Sequence, residues 1–224
     1  MVLPSDLTGI GMSQRETSFS KETKYLLYVP KDYGDDPYPL LIFLHGAGER
    51  GDDLELVKIH GPPKLIEAGV ELPFIVASPQ VEEGEWWSPS TVVWVLKDVE
   101  KRLRVDPDSV YLTGLSMGGY GTWETAIKYP NLFAAIVPIC GRGDPALAER
   151  IKHIPTWIFH GAKDTVVPEK HSAAMFEALE PYGNVSYTVY PEAEHDSWTE
   201  TMRTCFSMSG CCTIRETKQS RYAP

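Results

Sequence analysis

The stretch VYLTGLSMGGYGTWETAIKYP, residues 110–130, sets Ser116 among Gly114, Gly118, Gly119 and Gly121. An apolar β-branched run precedes it and a segment of helical spacing follows. Gly114-Leu115-Ser116-Met117-Gly118 fits the pattern G-x-S-x-G, with a strand expected over 110–113 and a helix from Tyr120 to Lys128. A strand that turns straight into a helix brings the neighbours of the serine so close that side chains there would collide, and glycines remove the collision. The hydroxyl is left exposed at the tip of the turn, on a backbone whose strain is tolerated because it positions a nucleophile. A glycine-rich turn could carry an incidental serine, but the strand-turn-helix context argues against coincidence.

Outward from this turn, strand-length apolar runs recur: KYLLYVP, PLLIFLHG, PFIVASPQ, SVYLTG, FAAIVPICG, PTWIFHGAKD and VSYTVYPEAEHD. Several are continuously apolar rather than alternating, as strands buried on both faces of a parallel sheet are. Between them, SPSTVVWVLKDVEKRLRV carries Val92, Val95, Leu96, Val99 and Leu103 at the spacing of one helical face, with Ser90 as a cap candidate. PEKHSAAMFEALEPYG does the same between Pro168 and Gly183. This alternation defines an α/β domain with a mostly parallel central sheet and helices on both faces. In such a sheet, functional groups collect in loops at the carboxyl ends of the strands.

A serine hydroxyl at neutral pH needs a base to take its proton, and that base needs an acid to orient it. Asp164 follows the run PTWIFHG, and His195 lies just past the last strand-like run, in an acidic loop. The order Ser116, Asp164, His195 is the chain order of an α/β-hydrolase triad. Taken singly, an Asp before a helix is often an N-cap and a loop histidine is usually just solvated; three strand ends in that order make coincidence improbable. Asp196 is a rival acid, set aside because adjacent side chains diverge. His45 and His160 precede glycines and are expected to shape their turns, while His60, His153 and His171 have no matching acid. The developing oxyanion needs N–H donors. Met117 supplies one at the helix start, and His45-Gly46-Ala47-Gly48 supplies the other, assigned to Ala47 with Gly46 as fallback.

Composition narrows the classes. At 224 residues, with 42% hydrophobic and 23% charged content, one globular domain over 1–224 is expected. A net charge of −10 speaks against nucleic acid, whose binding rests on Lys and Arg. No apolar run approaches the roughly 20 residues of a membrane span, and no secretory leader is visible at the start, so a cytoplasmic protein is expected. Cys140, Cys205, Cys211 and Cys212 form no metal pattern. No cofactor or metal is expected, and the oligomeric state is open.

Together, HGAGERG, GLSMGGYGTW, HGAKDTVVP and EHDSW resemble the α/β-hydrolase superfamily, over roughly Tyr25 to Trp198. Within it, the chain is similar to small serine esterases and peptidases related to feruloyl esterases, polyhydroxyalkanoate depolymerases and dienelactone-hydrolase-like enzymes. Dienelactone hydrolases use a cysteine nucleophile where this chain has Ser116. The resemblance implies a serine carboxylesterase acting on a small ester through an acyl-enzyme. A peptidase of the same fold and a noncatalytic binding module are the alternatives. Only residues 140–154 separate two expected strands where many relatives insert a lid, so an open site is expected. Trp86, Trp87 and Trp198 are candidates to wall it, which would suit short-chain or aromatic esters.

After Trp198 an amphipathic closing helix is expected, but residues 199–224 show no sustained helical face and hold three of the four cysteines. Permitted codons for this tail, read one base out of frame, encode an apolar helical pattern. A single-base frameshift in the gene or clone is therefore expected, with every candidate catalytic residue ahead of it.

Overall fold

The computed structural model describes the backbone of residues 15–20 and all of residues 23–205. Its strands are β1 (Arg15–Ser20), β2 (Thr23–Tyr28), β3 (Tyr38–Leu44), β4 (Ile75–Gln80), β5 (Val105–Leu115), β6 (Ala135–Ile139), β7 (Thr156–Gly161) and β8 (Val185–Tyr190). They form one eight-stranded sheet in the order β1-β2-β4-β3-β5-β6-β7-β8. The six strands β3 to β8 pair in parallel, and β2 runs antiparallel between β1 and β4. The antiparallel β1 edge was not foreseen, because RETSFS lacks an apolar run.

Continuous burial explains the parallel core. Leu40, Leu41, Ile42, Phe43 and Leu44 are wholly buried, successive residues facing opposite layers. One layer packs even-facing residues such as Leu40 and Ile42 under α2 (Pro89–Arg102), α3 (Met117–Lys128) and α4 (Lys170–Leu179). The other packs Leu41, Phe43 and Phe159 with Ile66 of α1 (Gly61–Glu67) and Met202 and Cys205 of α5 (Trp198–Cys205). The edge strand β8 is only partly buried.

Several boundaries move. The α2 cap is Ser88, not Ser90, with Pro89 at the first helical position, where a missing N–H costs nothing. Helix α3 begins at Met117, three residues before the expected start. The segment 140–154 holds a 3-10 helix, Pro145–Ile151, and no lid. Helix α5 takes in the first residues of the questioned tail, as far as Cys205. Asp196 caps Thr199 N–H at 3.0 Å, and α5 turns Thr201, Met202 and Cys205 inward. That pattern of i, i+1 and i+4 is too short to stand out in sequence. The rest of the questioned tail, 206–224, lies outside the described residues. Among the described residues, no helix is long and apolar enough to cross a membrane.

Candidate active site

The turn from β5 into α3 holds Ser116 at φ 52° and ψ −115°, a left-handed backbone that costs a non-glycine residue about 1–3 kcal/mol. Its surroundings enforce the conformation. Ser116 N–H donates to Ile139 O at 2.9 Å. A Cβ on Gly118 would lie 2.0 Å from Leu44 O, and one on Gly114 would lie 2.3 Å from Gly118 O. Both glycines are therefore dictated by backbone packing between the tips of β3 and β5 and the start of α3.

His195, in the loop between β8 and α5, places Nε2 2.9 Å from Ser116 Oγ and Nδ1 2.7 Å from Asp164 Oδ2. A carboxylate can only accept, so Nδ1 carries the proton and Nε2 accepts from the serine hydroxyl. Asp164, after β7, is 7% exposed. Burial alone would push its carboxyl up. The bond from His195, with the N–H groups of Val167 and Val166 on Oδ1 at 2.9 and 2.8 Å, outweighs burial and holds it below the ordinary Asp value. The rival Asp196 is occupied in capping α5 through Thr199 N and Oγ1.

One further side chain braces this arrangement. His160 is wholly buried, with Nε2 2.8 Å from Val167 O and 3.2 Å from Asp164 Oδ2, while Nδ1 meets Ser172 Oγ at 2.7 Å. Because Val167 O only accepts, the His160 proton sits on Nε2, toward the carboxylate as well. Sequence reading gave His160 only a turn-shaping role. Its place at the end of β7, four residues before Asp164, was the available signal.

The loop after β3 forms a 3-10 turn, Ala47–Glu49. Ala47 and Met117 each occupy the first position of a helical segment, where an N–H has no intrahelical acceptor. The N–H of Gly46, the fallback donor, already donates to the buried Glu49 carboxylate at 2.7 Å. His45 ties the same loop down. Its Nδ1 donates to Gly46 O at 2.6 Å and its Nε2 accepts from Val81 N–H at 3.1 Å. Burial pushes the His45 imidazole down to about 4, so it stays neutral.

The tryptophans separate. Trp86 is 61% exposed and lies edge-on to Tyr120, ring centroids 5.9 Å apart. Tyr120 in turn lines an open cleft of about 780 Å³ with Glu124, Lys128, Arg142, Asp144 and His171. Trp198 stands edge-on to both His195 and His60 at 5.3 Å and donates to His60 Nδ1 at 3.3 Å. Trp87 is corrected: it is 3% exposed, packs in the core and donates to His45 O at 2.9 Å, so it supports the loop from behind. Its core role follows from Gly121, where a Cβ would meet the Trp87 side chain at 2.6 Å.

Comparison with known proteins agrees with this architecture. A family model described as "Serine aminopeptidase, S33" matches residues 145–202. A poly(3-hydroxyalkanoate) depolymerase C of Paucimonas lemoignei is 26% identical over 149 residues, covering 54% of this chain and 36% of the relative. The crystal structure of a thermostable esterase superposes with a TM-score of 0.70 at 33% identity, covering 92% of this chain and 60% of that one. A feruloyl esterase module from Clostridium thermocellum, a mutant complexed with sinapinate, shares the fold with a TM-score of 0.68 at 16% identity, covering 95% and 92% of the two chains. The chain thus spans less than two thirds of the length of the first relatives it matches. The chain has the α/β-hydrolase fold, and several of the proteins it resembles are esterases.

Proposed function

We propose that this chain is a serine carboxylesterase acting on small esters. The observation that carries the reading is the relay from Ser116 Oγ through His195 to Asp164, with both contacts within hydrogen-bond length. Ser116 attacks the ester carbonyl as Nε2 of His195 takes its proton. The N–H groups of Ala47 and Met117 receive the oxyanion, each such donor contributing roughly 10²–10³ in rate. The imidazolium, stabilised by Asp164, then protonates the departing alcohol. Water, deprotonated by the same imidazole, attacks the acyl-enzyme and releases the acid.

The short 140–154 segment and the exposed Trp86 beside Tyr120 support a site for a short acyl or flat aromatic group rather than a lipid chain. The likeness to a family described as serine aminopeptidases favours a second reading, peptide hydrolysis by the same machinery. A p-nitrophenyl acyl series beside matched amides tests both. The esterase reading expects a maximum at short chains, amides slower by orders of magnitude, and loss of turnover in Ser116→Ala with unchanged circular dichroism. Activity of that variant within tenfold of the parent would discard the nucleophile, and faster amide than ester cleavage would favour the peptidase.

A further inference from the structure

Cys140 directly follows β6, at φ 41°, and is wholly buried. Its Sγ, a ring nitrogen of His195 and an oxygen of Asp164 all lie within 4.8 Å of one another. Ser197, whose hydroxyl is within reach of the thiol, is itself fully buried and has no well-formed hydrogen-bond partner among the described residues. The floor of the proposed active site is thus a thiol, an imidazole, a carboxylate and an unsatisfied hydroxyl, and turnover as derived above uses neither the thiol nor the hydroxyl.

We propose that this cluster is an inhibitory site for a thiophilic divalent cation of the zinc and cadmium class, which binds Nδ1 of His195 and so leaves Nε2 unable to act as the base of Ser116. The donor set selects that class: sulfur and nitrogen suit borderline and soft cations, whereas magnesium and calcium take oxygen shells. Thiolate and carboxylate together match the two positive charges. Tetrahedral coordination with bonds of about 2.0–2.3 Å sets ligand atoms about 3.3–3.6 Å apart. The His195–Asp164 contact, now 2.7 Å, has to open by less than about an ångström, and the thiol, within 4.8 Å of the other two, has to close in by up to about 1.5 Å.

Access and charge agree. His195 is the partly exposed member of the three, on a loop whose Glu192, Glu194 and Asp196 are exposed. On a chain of net charge −10, such carboxylates draw cations toward the ring.

The step balances without a redox partner. The thiol gives one proton to solvent and becomes the thiolate ligand. The His195 proton leaves Nδ1, which takes the metal, and is replaced at Nε2. The N–H then facing Ser116 Oγ cannot accept the serine proton, so the base is lost.

The proposal rests on the esterase reading only for its activity readout. The test titrates cadmium chloride into the protein carrying Cys211→Ser and Cys212→Ser, so that the tail thiols do not report. It follows the near-ultraviolet cadmium-thiolate band and p-nitrophenyl acetate hydrolysis together. Expected are band and inhibition saturating at the same cadmium concentration, and reversal by EDTA. Cys140→Ala should lose the band and, measured against its own uninhibited activity, need at least tenfold more cadmium for half-inhibition. Cys140→Ser, closer in size, serves the same comparison if the alanine variant misfolds. An absent band, or inhibition unchanged by removing the thiol, overturns the site. A protein that shows the Cys140-dependent band but cleaves no ester keeps the metal site and loses the esterase reading.

Discussion

Nε2 of His160 lies 3.2 Å from Oδ2 of Asp164, the same oxygen that receives His195 Nδ1. The carboxylate is therefore held from four sides: two imidazoles on one oxygen, and the N–H groups of Val166 and Val167 on the other. A group fixed in this way presents one direction to His195, and orientation is what the acid of such a relay contributes.

His160 is accordingly expected to be a positioning residue. His160→Leu should lower kcat roughly 10-fold to 100-fold, the worth of a hydrogen bond to a charged group, with KM nearly unchanged. His160→Gln, whose amide can reach the same oxygen, should recover most of that loss. A merely structural role would show instead as equal damage in both variants, tracking their melting temperatures.

Glu49 should act on the other side of the reaction. It occupies Gly46 N–H and so leaves Ala47 as the loop donor. Glu49→Ala is expected to cut kcat by roughly 10², about one oxyanion donor, while Glu49→Gln, which keeps an acceptor oxygen, stays within a few-fold of the parent. Steady-state kinetics on one short ester decide it, and a change confined to KM would count against the assignment.

His45 should make stability sensitive to pH. Its imidazole titrates at about 4 in the folded chain and near 6.5 when unfolded, so on acidification the unfolded state binds the proton first. Stability is then lost as pH falls from about 6.5 to about 4, by up to about 3 kcal/mol. Asp164, whose folded value is depressed, adds a loss only at lower pH, as its own carboxylate protonates. Urea unfolding of His45→Gln across this window should give a flatter profile than the parent; equal slopes would show that another group is responsible.

Trp86 and Trp87 are adjacent in sequence and should behave oppositely. Trp87→Ala empties a core position and should cost about 3–5 kcal/mol of stability. Trp86→Ala should leave stability within about 0.5 kcal/mol and raise KM for aromatic esters. Thermal unfolding and a feruloyl ester assay separate the two; an unchanged KM would remove Trp86 from the site wall.

The order of strand ends, the turn at Ser116 and the alternation of buried strands with amphipathic helices were all legible in the chain itself. Each is a local signal: apolar runs record burial, and glycines record backbone crowding. Ser116, Asp164 and His195 were nominated on that basis, and only the folded path brings residues 79 and 31 positions apart into contact. What tertiary structure alone decided are relations between separate elements. Asp196 caps α5 while Asp164 meets His195; the Gly46 N–H is taken by Glu49; Trp87 turns inward while Trp86 does not; Cys140 lies beside Asp164 and His195. Gly46 and Ala47, like Trp86 and Trp87, are neighbours in sequence and carry nearly the same local pattern. The choice between them is set by which backbone groups lie opposite after the sheet is built, and no periodicity along the chain encodes that.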